Sequence, residues 1–224
     1  MDLVIINQPR VFLYRKGYQI AKRVMDLALC LLAMPLVLPL LALCALAIRI
    51  DSPGPALFVQ ERIGKGGRRF RMYKFRTMQH NLDDSPHRDF LKAFVNGRVG
   101  GDENGRVLYK PFQASQITRV GRILRKTSMD ELPQLINVLR GEMSLVGPRP
   151  NVPWEFEEYR GWHQERLEVL PGITGLAQVR GRSGITFDSI VKYDIEYIER
   201  QSLAMDLTIM WWTVSSVLFG TGAQ

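Results

Sequence analysis

Cysteine and histidine are scarce in this chain of 224 residues, which has two Cys (Cys30 and Cys44) and three scattered His (His80, His87 and His163). No CxxC or His/Cys finger spacing occurs, which argues against a zinc site or a disulfide framework and makes a reducing compartment the default. A cleavable leader is also missing from the pattern. About twenty mixed residues, among them Arg10, Arg15, Lys16, Lys22 and Arg23, precede the first apolar stretch, whereas a signal peptide brings its apolar segment early. The length is too short for a multi-span transporter and suits one globular domain with an appendage. An apolar content of 46% argues against disorder.

Positive charge is abundant and unevenly placed. Within the net charge of +8, residues 1–51 carry six basic and three acidic side chains, residues 52–126 carry 16 and 6, and residues 127–224 carry 8 and 13. The middle third alone exceeds the total. Such a segment should seek phosphate groups, whether on nucleic acid, anionic lipid or a phosphorylated small molecule.

From Leu27 to Ile48 there are 22 consecutive residues without a charge, ten of them leucine. As a helix this run would be about 33 Å long, enough to cross a hydrocarbon core of about 30 Å. A soluble core helix apolar on every face would be rare in so small a protein. Lys22 and Arg23 precede the run and Arg49 follows it, so the positive-inside rule puts both ends on the cytoplasmic side. Pro35 near the middle and Pro39 one turn later each remove a helical donor and favour a bend. A bent helix that enters and leaves by one face accounts for both features, with a plain proline-kinked span as the alternative. Asp26 fits an interfacial helix start. Residues 203–219, with Asp206 as their one charge and the pair Trp211 and Trp212, suit either a helix lying in the interface or one packed on the domain.

After a turn at residues 52–55 the pattern predicts a short strand over 56–60, a glycine loop at Gly64, Gly66 and Gly67, and a second strand over 70–76. In that second strand Phe70, Met72 and Lys74 share one face, and Arg71, Tyr73 and Phe75 the other. Seven of the fifteen residues from Arg62 to Arg76 are basic. With aromatics interleaved, this could describe a nucleic-acid surface, but the adjacent apolar run would pin such a surface against lipid. Residues 79–116 read as a polar, loop-rich stretch around a short helix near 89–96, including Asp83, Asp84 and an acidic patch at 102–105.

The densest chemical signal lies between Arg119 and Pro150. Ser128 can cap a helix whose apolar positions are Leu132, Leu135, Ile136 and Leu139 and which Gly141 ends. Ser128 and Glu131 satisfy a capping box. Asp130 and Glu131 then fall in the first turn, near Arg125, Lys126 and the proline-framed Arg149. Nearby positive charge should hold a carboxylate ionised, and an ionised carboxylate can attack phosphorus. Its neighbour can hold Mg²⁺ together with substrate phosphates, while arginines take the developing charge.

The ordered segments KRVMDLAL, SPGPALFVQERIGKGGRRFRMYKFRTM, ITRVGRILRKTSMDELPQLINVLRGEMSLVGPRP, PGITGLAQVRGR and DLTIMWWT resemble the bacterial sugar transferases, the monotopic phosphoglycosyl transferases. The resemblance runs from Lys22 to the C-terminus. It implies transfer of a sugar 1-phosphate from a UDP-sugar to a polyprenyl phosphate at the cytoplasmic face of the inner membrane, with release of UMP and initiation of a surface glycan. It further implies Asp130 as nucleophile, Glu131 as Mg²⁺ ligand, Arg125 and Arg149 as phosphate contacts, Lys74 and Arg76 lining the site, and a membrane-helix break at Pro35. Some members have Ser before that proline; here it is Met34, so no hydroxyl assists the bend. The implied fold is α+β and mainly helical: an N-terminal segment (1–21), a re-entrant membrane helix (22–50), and a cytoplasmic catalytic domain (51–224) with a short sheet and interfacial amphipathic helices. The implied partners are the two substrates, membrane lipid, downstream glycosyltransferases of the same pathway and a second copy in a homodimer, with no nucleic acid.

Overall fold

The computed structural model describes residues 16–80, 85–99, 114–181 and 184–218. Asp83, Asp84, the acidic patch at 102–105 and most of the expected 1–21 segment lie outside them. The first element, α1 (Lys16–Asp51), is a helix of 36 residues, about 54 Å long at 1.5 Å per residue. Both expected boundaries, after residues 21 and 50, fall inside it. Helical structure is continuous through Pro35 and Pro39.

One stripe of α1 is buried, at Asp26, Cys30, Val37, Cys44 and Ile48. Steps of four and seven residues return to one helix face. Cys30 and Val37 pack with Met72, Leu135, Val138 and Met143; Cys44 and Ile48 pack with Phe75 and Leu124. The other faces expose Leu31, Leu32, Leu36, Leu38, Leu43 and Leu46.

A hairpin follows. Strand β1 (Leu57–Ile63) runs antiparallel to β2 (Arg69–Phe75), with Leu57 opposite Phe75 and Ile63 opposite Arg69. Its loop turns through Gly66 and Gly67 at φ 64° and 77°, values that glycine adopts without strain. Met72 and Lys74 line one crevice, but Met72 and Phe75 are both buried beneath α1, so the alternation expected of period two is not strict. Helix α2 (Ser85–Val95) starts four residues earlier than its pattern suggests. Helix α3 (Arg119–Lys126) is capped by Thr118, whose Oγ1 accepts from Gly121 N, and by Asp51, whose Oδ2 accepts from Val120 N at 2.9 Å.

The expected helix from Ser128 to Gly141 is two elements. Residues Met129–Gln134 form a 3₁₀ turn, and only α4 (Leu135–Arg140) is α-helical, closed by Gly141 at φ 78°. Ser128 does not cap: its φ is 55° and its side chain makes no cap bond. It ends α3 in the left-handed conformation common just past helix C-termini, and Pro133, with no N–H, suits the tighter turn that follows.

The remaining elements are β3 (Ser144–Val146), α5 (Pro153–Phe156), β4 (Gly172–Thr174), α6 (Leu176–Gly181), α7 (Phe187–Arg200) and α8 (Leu203–Leu218), with β3 and β4 parallel. Asp26 is buried rather than interfacial: Oδ2 accepts from Ser144 Oγ at 2.7 Å and Oδ1 from Leu145 N. Arg23 donates to the last carbonyls of α4, Val138 O at 2.6 Å and Leu139 O at 3.0 Å. Helix α8 packs on the domain along one side. Asp206 and Ile209 are fully buried, while Leu207, Trp211 and Val214 stay exposed.

Asp206 ties α1, α7 and α8 together. It accepts from Tyr18 at 3.0 Å, Lys22 at 2.9 Å and Tyr197 at 2.7 Å. Breaking a buried ion pair from one side costs about 3–5 kcal/mol, because the partner charge is left uncompensated. Asp206→Ala should therefore lower the thermal unfolding midpoint in detergent by several degrees, far more than Asp188→Ala at a half-exposed position.

Candidate active site

The Asp130–Glu131 pair sits on the 3₁₀ turn, which rests against β2. Residues three apart eclipse in a 3₁₀ helix, so Glu131 and Gln134 share one face, toward Met72 and Lys74. Lys74 Nζ donates to Glu131 Oε1 at 2.7 Å, and Arg149 NH1 meets the same oxygen at 3.4 Å. Two of the expected phosphate-binding residues are thus brought directly onto Glu131. Arg125, in the last turn of α3, adds positive charge beside Asp130 and is oriented through its Nε, which donates to Thr77 Oγ1 at 2.9 Å.

Arg76 lies elsewhere. It is buried, and its guanidinium donates to Ser52 O, Ser52 Oγ and Pro53 O. These bonds clamp the turn after α1. None joins Arg76 to the carboxylate pair.

The two carboxyls titrate in opposite directions. Burial opposes ionisation of Glu131, but Lys74 and Arg149 outweigh it and lower the carboxyl to about 2. Asp130 is pushed above its usual range by burial and by the Glu131 charge, against the pull of Lys74, Arg125 and Arg149. Of the cations expected to hold a carboxylate ionised, Arg149 meets Glu131 while Arg125 stands beside Asp130. Burial and Arg149 lower the Lys74 ammonium, with Glu131 opposing them.

Several positioning residues escaped the sequence reading. The buried Asn137 accepts from Tyr73 N at 3.1 Å and donates to Arg71 O and Glu142 Oε2, both at 2.7 Å. It stitches α4 to the strand that carries Lys74. A polar residue among the apolar positions of a short helix was its only signal.

The loop 148–151 is fixed at four successive carbonyls. Pro148 O accepts from Gly172 N, Arg149 O from Arg166 NH2, Pro150 O from Arg62 NH1 and Asn151 O from Ile63 N, at 2.8 to 3.0 Å. Arg166 is itself buried against Asp194 of α7 at 2.6 Å and also donates to Asn151 Oδ1 and Tyr159 OH. Gly147, Gly172 and Gly175 let the backbones touch, since a Cβ on Gly172 would lie 2.1 Å from Gly147 N. Arg149 therefore projects from a rigid support.

Among the described residues, no three His, Cys, Asp or Glu side chains gather to hold a metal. Lys74 and Arg149 both take Oε1 of Glu131, leaving Oε2 and the neighbouring Asp130 carboxylate as hard oxygen donors. One or two carboxylates plus substrate phosphates is the usual Mg²⁺ arrangement, so the residues fit that ion.

A carboxylate pair ringed by Lys74, Arg125 and Arg149 is suited to phosphorylated ligands. Residues 17–220 match the bacterial sugar transferase family, and the chain belongs to it. It is 45% identical over 212 residues to the UDP-glucose:undecaprenyl-phosphate glucose-1-phosphate transferase of Caulobacter vibrioides, covering 91% of this chain and 72% of that protein. It is 42% identical to the galactosyl transferase CpsE of Streptococcus agalactiae, over 94% of this chain and 45% of the relative. A UDP-N-acetylgalactosamine-undecaprenyl-phosphate N-acetylgalactosaminephosphotransferase of Aeromonas hydrophila is 38% identical, over 92% and 46% respectively. The chain thus spans about half the length of two of these relatives.

The sign of the Glu131 shift gives a test. A carboxyl depressed from 4.5 to about 2 contributes stability that is present above pH 4.5 and lost as pH falls toward 2. Unfolding midpoints measured across that window should fall with acid in the unaltered protein, and the fall should shrink in Lys74→Met.

Proposed function

We propose that the protein moves a sugar 1-phosphate from a UDP-sugar to undecaprenyl phosphate, through a phosphosugar carried on Asp130, as the first step of a cell-surface glycan. The observation that carries this reading is the Glu131 carboxylate fixed between Lys74 and Arg149, beside an Asp130 whose carboxyl is made more basic. Family membership and the printed activities of the relatives support it.

In the first half-reaction an Asp130 carboxylate oxygen bonds to the β-phosphorus, the bond to the bridging oxygen breaks, and UMP leaves with that electron pair. In the second, a phosphate oxygen of the lipid attacks the same phosphorus and frees the Asp130 carboxylate, giving a polyprenyl diphosphate sugar. Lys74, Arg125 and Arg149 stabilise charge on the phosphate oxygens. Glu131, together with the substrate phosphates, would hold Mg²⁺, and the ion would supply further charge compensation there. The relatives act on different sugars, so the donor class proposed is a UDP-hexose or UDP-N-acetylhexosamine.

We place α1 in the cytoplasmic leaflet of the inner membrane, bent at Pro35, with the domain beneath it on the cytoplasmic side. The support is that residues on both sides of the apolar run reach the same domain, Asp26 through Ser144 and Asp51 through Val120. A plain span would carry one of those ends to the opposite face.

Asp130→Asn should abolish UMP release from every donor and prevent isolation of a phosphosugar-bearing protein; undiminished turnover would remove Asp130 from the nucleophile's role. For topology, Gly17→Cys, where an added Cβ meets nothing within 4 Å, and Pro55→Cys should label from the same side of inverted vesicles. The native thiols Cys30 and Cys44 are buried. Labelling from opposite sides would restore a plain span.

A further inference from the structure

Three consecutive apolar side chains at the start of β1 stay in the open: Leu57, Phe58 and Val59 are 41%, 46% and 47% exposed. A run of this kind is out of place on a folded surface unless something binds it. The ladder fixes where each one points. Leu57 stands opposite Phe75, Phe58 opposite Lys74 and Val59 opposite Tyr73. Residues directly opposite each other share a sheet face, with Cβ atoms about 4.5–5.5 Å apart. Phe58 therefore lies beside Lys74, whose Nζ donates to Glu131. In the other direction the strand leads back to α1. Ala56 packs against the cluster of Cys44, Ile48 and Phe75, and in that part of α1 Leu43, Leu46 and Ile50 are exposed.

We propose that Phe58 is a binding residue for the lipid acceptor, its ring packing on the first isoprene units of the polyprenyl phosphate while the phosphate reaches the cations beside Asp130. The inference rests on the transferase reading of the site and on the placing of α1 in the leaflet. Two arguments select this ligand. An acceptor with its tail in the bilayer and its phosphate at the cations must pass from one to the other, and β1 leads from the exposed leucines of α1 to Lys74 with Phe58 at the cation end. The run also offers no hydrogen-bonding side chain. The next residue, Gln60, has its Oε1 taken by Arg62 at 2.6 Å. A uracil or a sugar brings donors and acceptors that need polar partners once out of water, whereas an isoprene unit brings none.

The test separates the two half-reactions. Exchange of labelled UMP into the UDP-sugar needs the donor and Asp130 alone, whereas transfer of the sugar phosphate needs the lipid. In Phe58→Ser, kcat/KM for undecaprenyl phosphate should fall roughly tenfold, the scale of about two buried methylene groups, while UMP exchange stays within about twofold. Val59→Ser, at an equally exposed position on the opposite face beside Tyr73, should keep both rates. A second arm uses the unaltered protein and a polyprenyl phosphate analogue carrying a diazirine in its first isoprene unit. Irradiation should place the label on the strand Leu57–Ile63.

Equal losses in Phe58→Ser and Val59→Ser make the run a plain lipid contact and overturn the inference, as does a fall in UMP exchange that matches the fall in transfer. Label absent from the strand does so even if Phe58→Ser fails to fold. Absence of both exchange and transfer with the unaltered protein overturns the transferase reading and this inference together; normal transfer by a folded Phe58→Ser overturns the inference alone.

Discussion

The structure is organised around one carboxylate, Glu131, shared by two cations from distant parts of the chain. Lys74 arrives on β2 and Arg149 on the loop after β3, and both meet Oε1. Bringing a partly buried acid and two bases together is favourable only if each is held so that mutual attraction exceeds the cost of leaving water. Much of the fold supplies that holding. Asn137 bonds two backbone groups of β2 and the Glu142 carboxylate, the carbonyls of 148–151 are each taken by a donor, and Thr77 orients Arg125. The consequence for chemistry is that Glu131 stays ionised while Asp130, one residue away, feels its charge.

That asymmetry distinguishes two acids that spacing and charge along the chain leave alike. Two adjacent acids among arginines look interchangeable when read along the chain. In three dimensions the closest cations address Glu131, and Asp130 is left more basic and without an ion pair among the described residues. Environments that push neighbouring carboxyls apart are how one site obtains two functions from one kind of group. Here the split follows from the 3₁₀ geometry, which turns Glu131 and Gln134 toward β2 and Asp130 onto another face.

The legible features were those with local causes. The hairpin and its glycine loop, the helix over 203–218, the end of α4 at Gly141 and the placing of Arg125 and Arg149 near the acidic pair have signatures in spacing or composition, whereas Lys74 at the site was implied only by the family resemblance. The failures share a different cause. Ser128 satisfies a capping box by sequence, but it serves as the left-handed terminus of α3, and that competition between two helices is invisible from a four-residue pattern. Arg76 sits in the same basic strand as Lys74, and only the return of the chain from α1 decides that its donors go to Ser52 and Pro53. Asn137 and Arg166 act through partners 60 or so and 17 residues away in sequence, a separation that no local signal reports.

The helix α1 follows the same logic at larger scale. Its apolar faces suit lipid, but its buried stripe begins with Asp26, preceded by the paired Lys22 and Arg23. Those polar groups are neutralised by Asp206, Ser144 and the carbonyl end of α4. Arg23 on the α4 carbonyls couples the helix to the element that follows the 3₁₀ turn, and Asp51 caps α3, which carries Arg125. The Asp130–Glu131 pair is therefore flanked on both sides by elements anchored to α1. A small domain built this way cannot move far from its apolar helix without disturbing the carboxylate pair. In the proposed reaction, with a lipid phosphate as acceptor, such coupling would limit the search for the second substrate to the plane of the headgroups.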